Sequence, residues 1–137
     1  MVSNFEWRAN VKEAIWEFSS KEHQYRIWFE QNKVWGHPDE DIAMFFDDLW
    51  IEDYVKSKNN YLTKKEKKGL VSFINLLNIF LDKRRNIFTG IYSLDPYLLY
   101  ENDIEWENIR NEAKILYGTF CNEENIEREI INDFKLE

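Results

Sequence analysis

Seven carboxylates crowd the stretch DEDIAMFFDDLWIEDY, Asp39 to Tyr54, and on a helix Asp48 and Glu52 fall on one face at i and i+4. Two such carboxylates can share a hard divalent cation, but a carboxylate metal site needs a third or fourth ligand converging from elsewhere. The only histidines are His23 and His37, and neither is spaced to complete a coordination shell. No metal is expected. Either imidazole titrates in the range of a general base, yet neither has an identifiable orienting partner. Cys121 has no nearby histidine or cation to lower its thiol pKa, and it reads as a small, half-buried residue between two helices. Glycine-rich phosphate loops, GxSxG elbows, HExxH, CxxC and kinase signatures are all missing, and four glycines leave little material for a nucleotide-binding turn. The expectation is a non-enzyme with no catalytic residues and no cofactor.

The elements that hold these side chains are helical by periodicity. Trp7, Val11, Ala14, Ile15 and Phe18 form one stripe of a helix starting near Ser3 or Asn4. Ser19 and Glu22 have the form of a capping box that opens a second helix through Tyr25, Trp28 and Phe29, with Gly36 as its terminator; a strand over 25–35 is the open alternative. His37-Pro38 ends that element. Pro38 then starts a third helix, with Asp39, Glu40 and Asp41 at the positive end of its dipole. Ile42, Phe45, Phe46, Leu49 and Trp50 carry it to about Lys56, and Asn59-Asn60 breaks it.

Thr63 and Glu66 form a second capping box. It opens a long helix to about Arg85, with Leu70, Phe73, Ile74, Leu77, Phe80 and Leu81 as its main stripe. Gly90 and Asp95-Pro96 mark an irregular segment in which 97–101 is either one helical turn or a short strand. Trp106, Ile109, Ala113, Leu116 and Tyr117 give a helix ending at Gly118. Ile126, Ile130, Ile131 and Phe134 give a last one, capped by Asn122. The predicted fold is all-α, one domain over 1–137, as a compact bundle of five or six helices with room for one short strand pair.

On a helical wheel the acidic segment divides into faces. Phe45, Leu49, Ile42, Phe46 and Trp50 point inward, together with Asp53, which then needs a partner. Asp41, Asp48 and Glu52 align as an outer ridge, and Glu40 and Asp47 form a second line. Met44, Ile51 and Val55 lie between the two lines as an apolar strip. A solvated face explains the ridge, since like charges at i and i+4 cost only a few tenths of a kcal/mol. Capture of a basic partner explains the strip as well. Trp16, opposite the Trp7 stripe, is a further candidate anchor unless a second helix covers it.

At 137 residues, with 44% hydrophobic and 17% aromatic side chains, the chain has enough apolar material for one continuous core. The N-terminal stretch is not a secretory signal. The most apolar window, Leu70 to Leu81, is too short and too polar to span a bilayer. One cysteine fits a reducing compartment, and the cytoplasm is expected. Charge is banded: 1–55 carries five basic and twelve acidic residues, 56–85 nine and two, and 95–137 four and twelve. These bands can complement one another within the fold. Lys64 to Lys68 and Lys83 to Arg85 could alternatively contact nucleic acid. They lie about 30 Å apart along one helix, and the second cluster suits a helix C-terminus for its own reasons, so that reading ranks second.

A small acidic chain rich in Trp and Phe, with acids concentrated at Asp39 to Tyr54 and from Glu101 to Glu137, resembles the immunity proteins of bacterial toxin systems, including contact-dependent growth inhibition. The likeness is one of overall character. It implies a cytoplasmic inhibitor that neutralises a cognate toxin, often a nuclease, by covering a basic surface. Glu40, Asp41, Met44, Asp47, Asp48, Ile51, Glu52 and Trp16 would then form the partner-binding surface. The basic band at 56–85 departs from a uniformly acidic inhibitor. Oligomeric state stays open, and the different-class alternative is a helical nucleic-acid-associated regulator using that band.

Overall fold

A computed structural model describes residues 4–30, 38–57, 61–85, 88–89 and 94–136, with side chains within 6–122. Gly36, His37, Asn59-Asn60, Gly90 and the side chains of Ile126 to Phe134 lie outside that description. The described residues form an all-α bundle without strands: α1 (Asn4–Ser19), α2 (Lys21–Tyr25), α3 (Pro38–Ala43), α4 (Ile51–Lys56), α5 (Lys64–Arg84), α6 (Pro96–Glu101) and α7 (Ile104–Leu136). Single π turns prolong α2 over Arg26–Glu30 and α3 over Met44–Asp48. Residues 25–30 and 97–101 are thus helical. No described helix is long and apolar enough to cross a membrane.

The frame is α7 with α1 and α5 packed on it. Both run antiparallel to it. Arg8 of α1 approaches Phe120 at one end and Phe18 meets Trp106 at the other, while Arg84 of α5 reaches Asp103 and Glu105 at the start of α7. All six residues of the predicted α5 stripe are buried, together with Val11, Ala14, Ile15 and Phe18 of α1 and Trp106, Ile109, Ala113 and Leu116 of α7. Phe18 sits at the centre, edge-on to Phe45, Phe73 and Trp106. Such pairs add about 0.5–1.5 kcal/mol each beyond burial.

The Thr63–Glu66 capping box forms as the sequence suggests, with Thr63 Oγ1 accepting from the Glu66 N–H and Glu66 Oε1 accepting from the Thr63 N–H. The cap of α2 is one residue later than expected. Ser20, not Ser19, accepts from the His23 N–H, and the Ser19 hydroxyl donates to the Trp16 carbonyl. Asp95 caps α6 through the Tyr97 and Leu98 N–H groups, with Pro96 in the first turn. Residues 97–101 are therefore helix and not strand.

Two corrections matter for the acidic stretch and the C-terminal region. Helix three is not continuous to Lys56: the π turn adds a residue to its ladder, with the Leu49 N–H donating to the Met44 carbonyl, and Trp50 then takes left-handed φ 51, ψ 50 before α4 restarts. Every residue after Asp48 is therefore rotated off the straight wheel. Ile51, Tyr54 and Val55 become core, while Trp50, expected inside, is 61% exposed and Asp53 faces solvent. Gly118 does not end a helix either. The chain runs through it as one α7 to Leu136, because Leu116 and Phe120 on either side are held in the core, and Cys121 is exposed on this helix instead of half-buried between two.

Candidate partner-binding site

The α2 segment is fixed by one buried amide. Gln24 Nε2 donates to the Glu17 and Phe18 carbonyls at the end of α1, and its Oε1 accepts from Trp106 Nε1 at 3.2 Å and from Arg110 Nε and Nη2 at 3.2 and 3.0 Å. A buried amide with its donor and acceptor both engaged rigidifies what it joins. It therefore sets where His23 and Ile27 stand relative to α1. On the other side, Trp28 Nε1 donates to Asp41 Oδ2 at 3.2 Å, tying the π turn of α2 to α3.

Between these elements lies an open concavity of about 410 Å³, lined by Glu17, His23, Ile27, Glu40, Asp41, Ala43, Met44 and Asp48. Its apolar side chains are Ile27, Ala43 and Met44. Four carboxylates stand around them. Both π turns contribute, Ile27 from one and Met44 and Asp48 from the other, and such bulges recur at functional sites because they re-aim side chains.

The electrostatics follow from crowding. Burial, then Asp41, then Glu13 push the Glu17 carboxyl up from 4.5 to about 7. Burial and the Arg26 charge lower the His23 imidazole, against the pull of Glu13. Near neutral pH the site thus holds a neutral imidazole and a carboxyl that shares its proton with water. The Trp16 ring packs on His23 at 5.0 Å, half-buried at the edge of this group. Among the described residues no three His, Cys, Asp or Glu side chains are arranged to hold a metal ion.

Of the eight residues expected to bind a partner, Glu40, Asp41, Met44 and Asp48 come together here, and Trp16 stands beside them through His23. Asp47 and Glu52 are exposed but outside the lining. Ile51 is fully buried and takes no part in any surface, because the break at Trp50 turns it inward. Sequence reading missed Glu17, His23 and Trp50. Glu17 arrives from α1 where it packs against α3 and His23 from α2, an approach between elements that leaves no periodic signal, and Trp50, outside the lining, is exposed through a backbone conformation that local propensity disfavours.

The basic band is partly consumed within the fold. Lys83 Nζ pairs with Glu105 at 2.9 Å, Arg84 with Asp103 at 2.7 Å, and Arg85 with Asp82 at 3.4 Å. Lys64, Lys65, Lys67 and Lys68 are exposed at the opposite end of α5. Searches of protein-family models, curated proteins and solved structures return no match to this chain.

Proposed function

We propose that this chain is a non-enzymatic inhibitor of the immunity-protein kind, which neutralises a basic cognate toxin in the cytoplasm by docking it on the acidic concavity. One observation carries the reading. Glu17, Glu40, Asp41 and Asp48 converge around an apolar floor at a rigidly tied junction of three segments. Converging like charge destabilises the free protein, and a cationic partner relieves it. The rim charges steer encounter, while Met44, Ile27 and the exposed Trp50 supply apolar contact area of the type that dominates interface energetics.

The nucleic-acid reading is weaker on the same grounds, since Lys83, Arg84 and Arg85 already have carboxylate partners that phosphates would have to displace.

Calorimetry of the purified chain against the product of the adjacent gene tests the proposal. A micromolar or tighter complex is expected, weakened at least tenfold by the Glu40→Lys/Asp48→Lys pair, with much of the loss in the association rate and in its salt dependence. The proposal fails if no complex forms or if charge reversal leaves affinity unchanged. A steep salt slope against duplex or single-stranded nucleic acid, lost on reversing Lys64 to Lys68, would favour the other class.

A further inference from the structure

On the side of α7 where α5 packs, the two helices leave an open groove of about 580 Å³ that the acidic site does not use. The α5 wall carries Lys68, Gly69, Ser72 and Leu76, one stripe at i, i+3 and i+4 spacing, and the α7 wall carries Glu112, Ile115 and Thr119 on another. Continuing the two stripes adds Ile79 and Ile104. Ile79 is 54% exposed, Ile115 64% and Ile104 85%. Three isoleucines on one helix pair form an apolar face that its own core does not need.

We propose that this face is the interface between two copies of this chain. The walls are opposite in charge and the face is self-complementary. A two-fold axis running along the groove lays the α5 wall of each copy over the α7 wall of the other, bringing basic Lys68 of one toward acidic Glu112 of the other. Register follows from Gly69, whose added Cβ would stand 2.7 Å from Leu116 Cδ1, so residues 69 and 116 lie at one level of the antiparallel pair. At that level Ile115 of one copy meets the dent left by Gly69 and Ser72 of the other, a knob facing a hole, and Ile79 meets Ile104 within about one turn. The result is a four-helix arrangement.

The size is sufficient. A helix pair about 30 Å long and about 20 Å wide offers about 600 Å² per copy, or about 1,200 Å² in all, the lower end for a specific association. A dissociation constant in the micromolar range follows, weakened by salt through the Lys68–Glu112 contacts.

Sedimentation velocity and light scattering of the full chain between about 2 and 200 µM test this directly. The expected result is a reversible dimer that Ile115→Asp abolishes and Lys68→Glu weakens at least tenfold, with Lys68→Glu/Glu112→Lys restoring it. These side chains are exposed, so circular dichroism of each variant should match the parent. Ser72→Arg, which fills the dent, is a second disrupting variant. Asp48→Lys should leave the dimer intact, which keeps this proposal separate from partner docking. A chain that stays monomeric throughout, whether the groove meets water or another protein, overturns it. So does a dimer indifferent to Ile115→Asp, or a double reversal no better than Lys68→Glu alone.

Discussion

Arg8 and Glu66, 58 residues apart in the chain, form an ion pair that is almost wholly withdrawn from water. The same guanidinium reaches the Phe120 carbonyl at 3.4 Å and lies over the Phe120 ring, so one side chain joins α1, α5 and α7. Glu66 is committed twice, since its other oxygen completes the cap of α5. Glu66→Ala should therefore destabilise by about 3–5 kcal/mol, because it strands a buried cation and removes a cap. Arg8→Met with Glu66→Gln keeps the cap and buries no net charge, and it should cost much less than the sum of the single changes. Urea unfolding of the four proteins in a double-mutant cycle measures the coupling.

The two described glycines predict opposite outcomes. A Cβ at Gly118 meets nothing within 4 Å in the interior of α7, so Gly118→Ala should stabilise by about 0.5–1 kcal/mol through helix propensity alone. At Gly69 the added methyl would press on Leu116, which is itself core, and Gly69→Ala should lose that gain and about 1 kcal/mol more. Thermal melts should move in opposite directions by a few degrees.

What was legible in the sequence divides along physical lines. The fold class and α5 were readable because capping and stripe are local and agree, as at Thr63, Glu66, Leu70 and Phe73. The break at Trp50 was not, since nothing in FFDDLWIED disfavours a continuous helix and only the packing of Ile51 and Tyr54 requires the extra residue. Gly118 misled for the converse reason: a glycine costs a helix about 1 kcal/mol, which burial of Leu116 and Phe120 exceeds. Glu40, Asp41 and Asp48 were named from periodicity, and they line one concavity. Glu17 entered it only through α1 packing against α3.

Trp50 combines left-handed backbone, 61% exposure and a position two residues after Asp48. A left-handed conformation costs an ordinary side chain roughly 1–2 kcal/mol, and a side chain this exposed recovers little of that by packing. Trp50→Asn, which tolerates this region, should hold or raise stability by up to about 1 kcal/mol while weakening the basic partner's binding. Equal losses of stability and binding would instead identify Trp50 as a structural residue. Denaturation and calorimetry on the same variant separate the two.

Glu17 makes both folding and docking depend on pH, with a definite sign. Its carboxyl rises from 4.5 to about 7 through burial, Asp41 and Glu13, with Glu40, Asp48 and His23 also lining the concavity. Below about pH 4.5 the group is protonated in both folded and unfolded chains, and its contribution to stability is fully present. Between 4.5 and 7 the unfolded chain loses the proton while the folded one keeps it, so this contribution to stability falls as pH rises and is fully lost above 7. Because the group is only half-buried, the loss is about 1 kcal/mol after screening, and Glu17→Gln should remove it. His23 acts oppositely: its lowered imidazole costs stability as pH falls below 6.5, so the Glu17 effect is measured as the difference between parent and variant. A cation docked in the concavity favours the ionised carboxylate and expels its proton. Affinity for the basic partner should thus rise between pH 6 and 8 in the parent and stay flatter in Glu17→Gln. Calorimetry in buffers of different ionisation enthalpy should register close to one proton fewer released by the variant near pH 6.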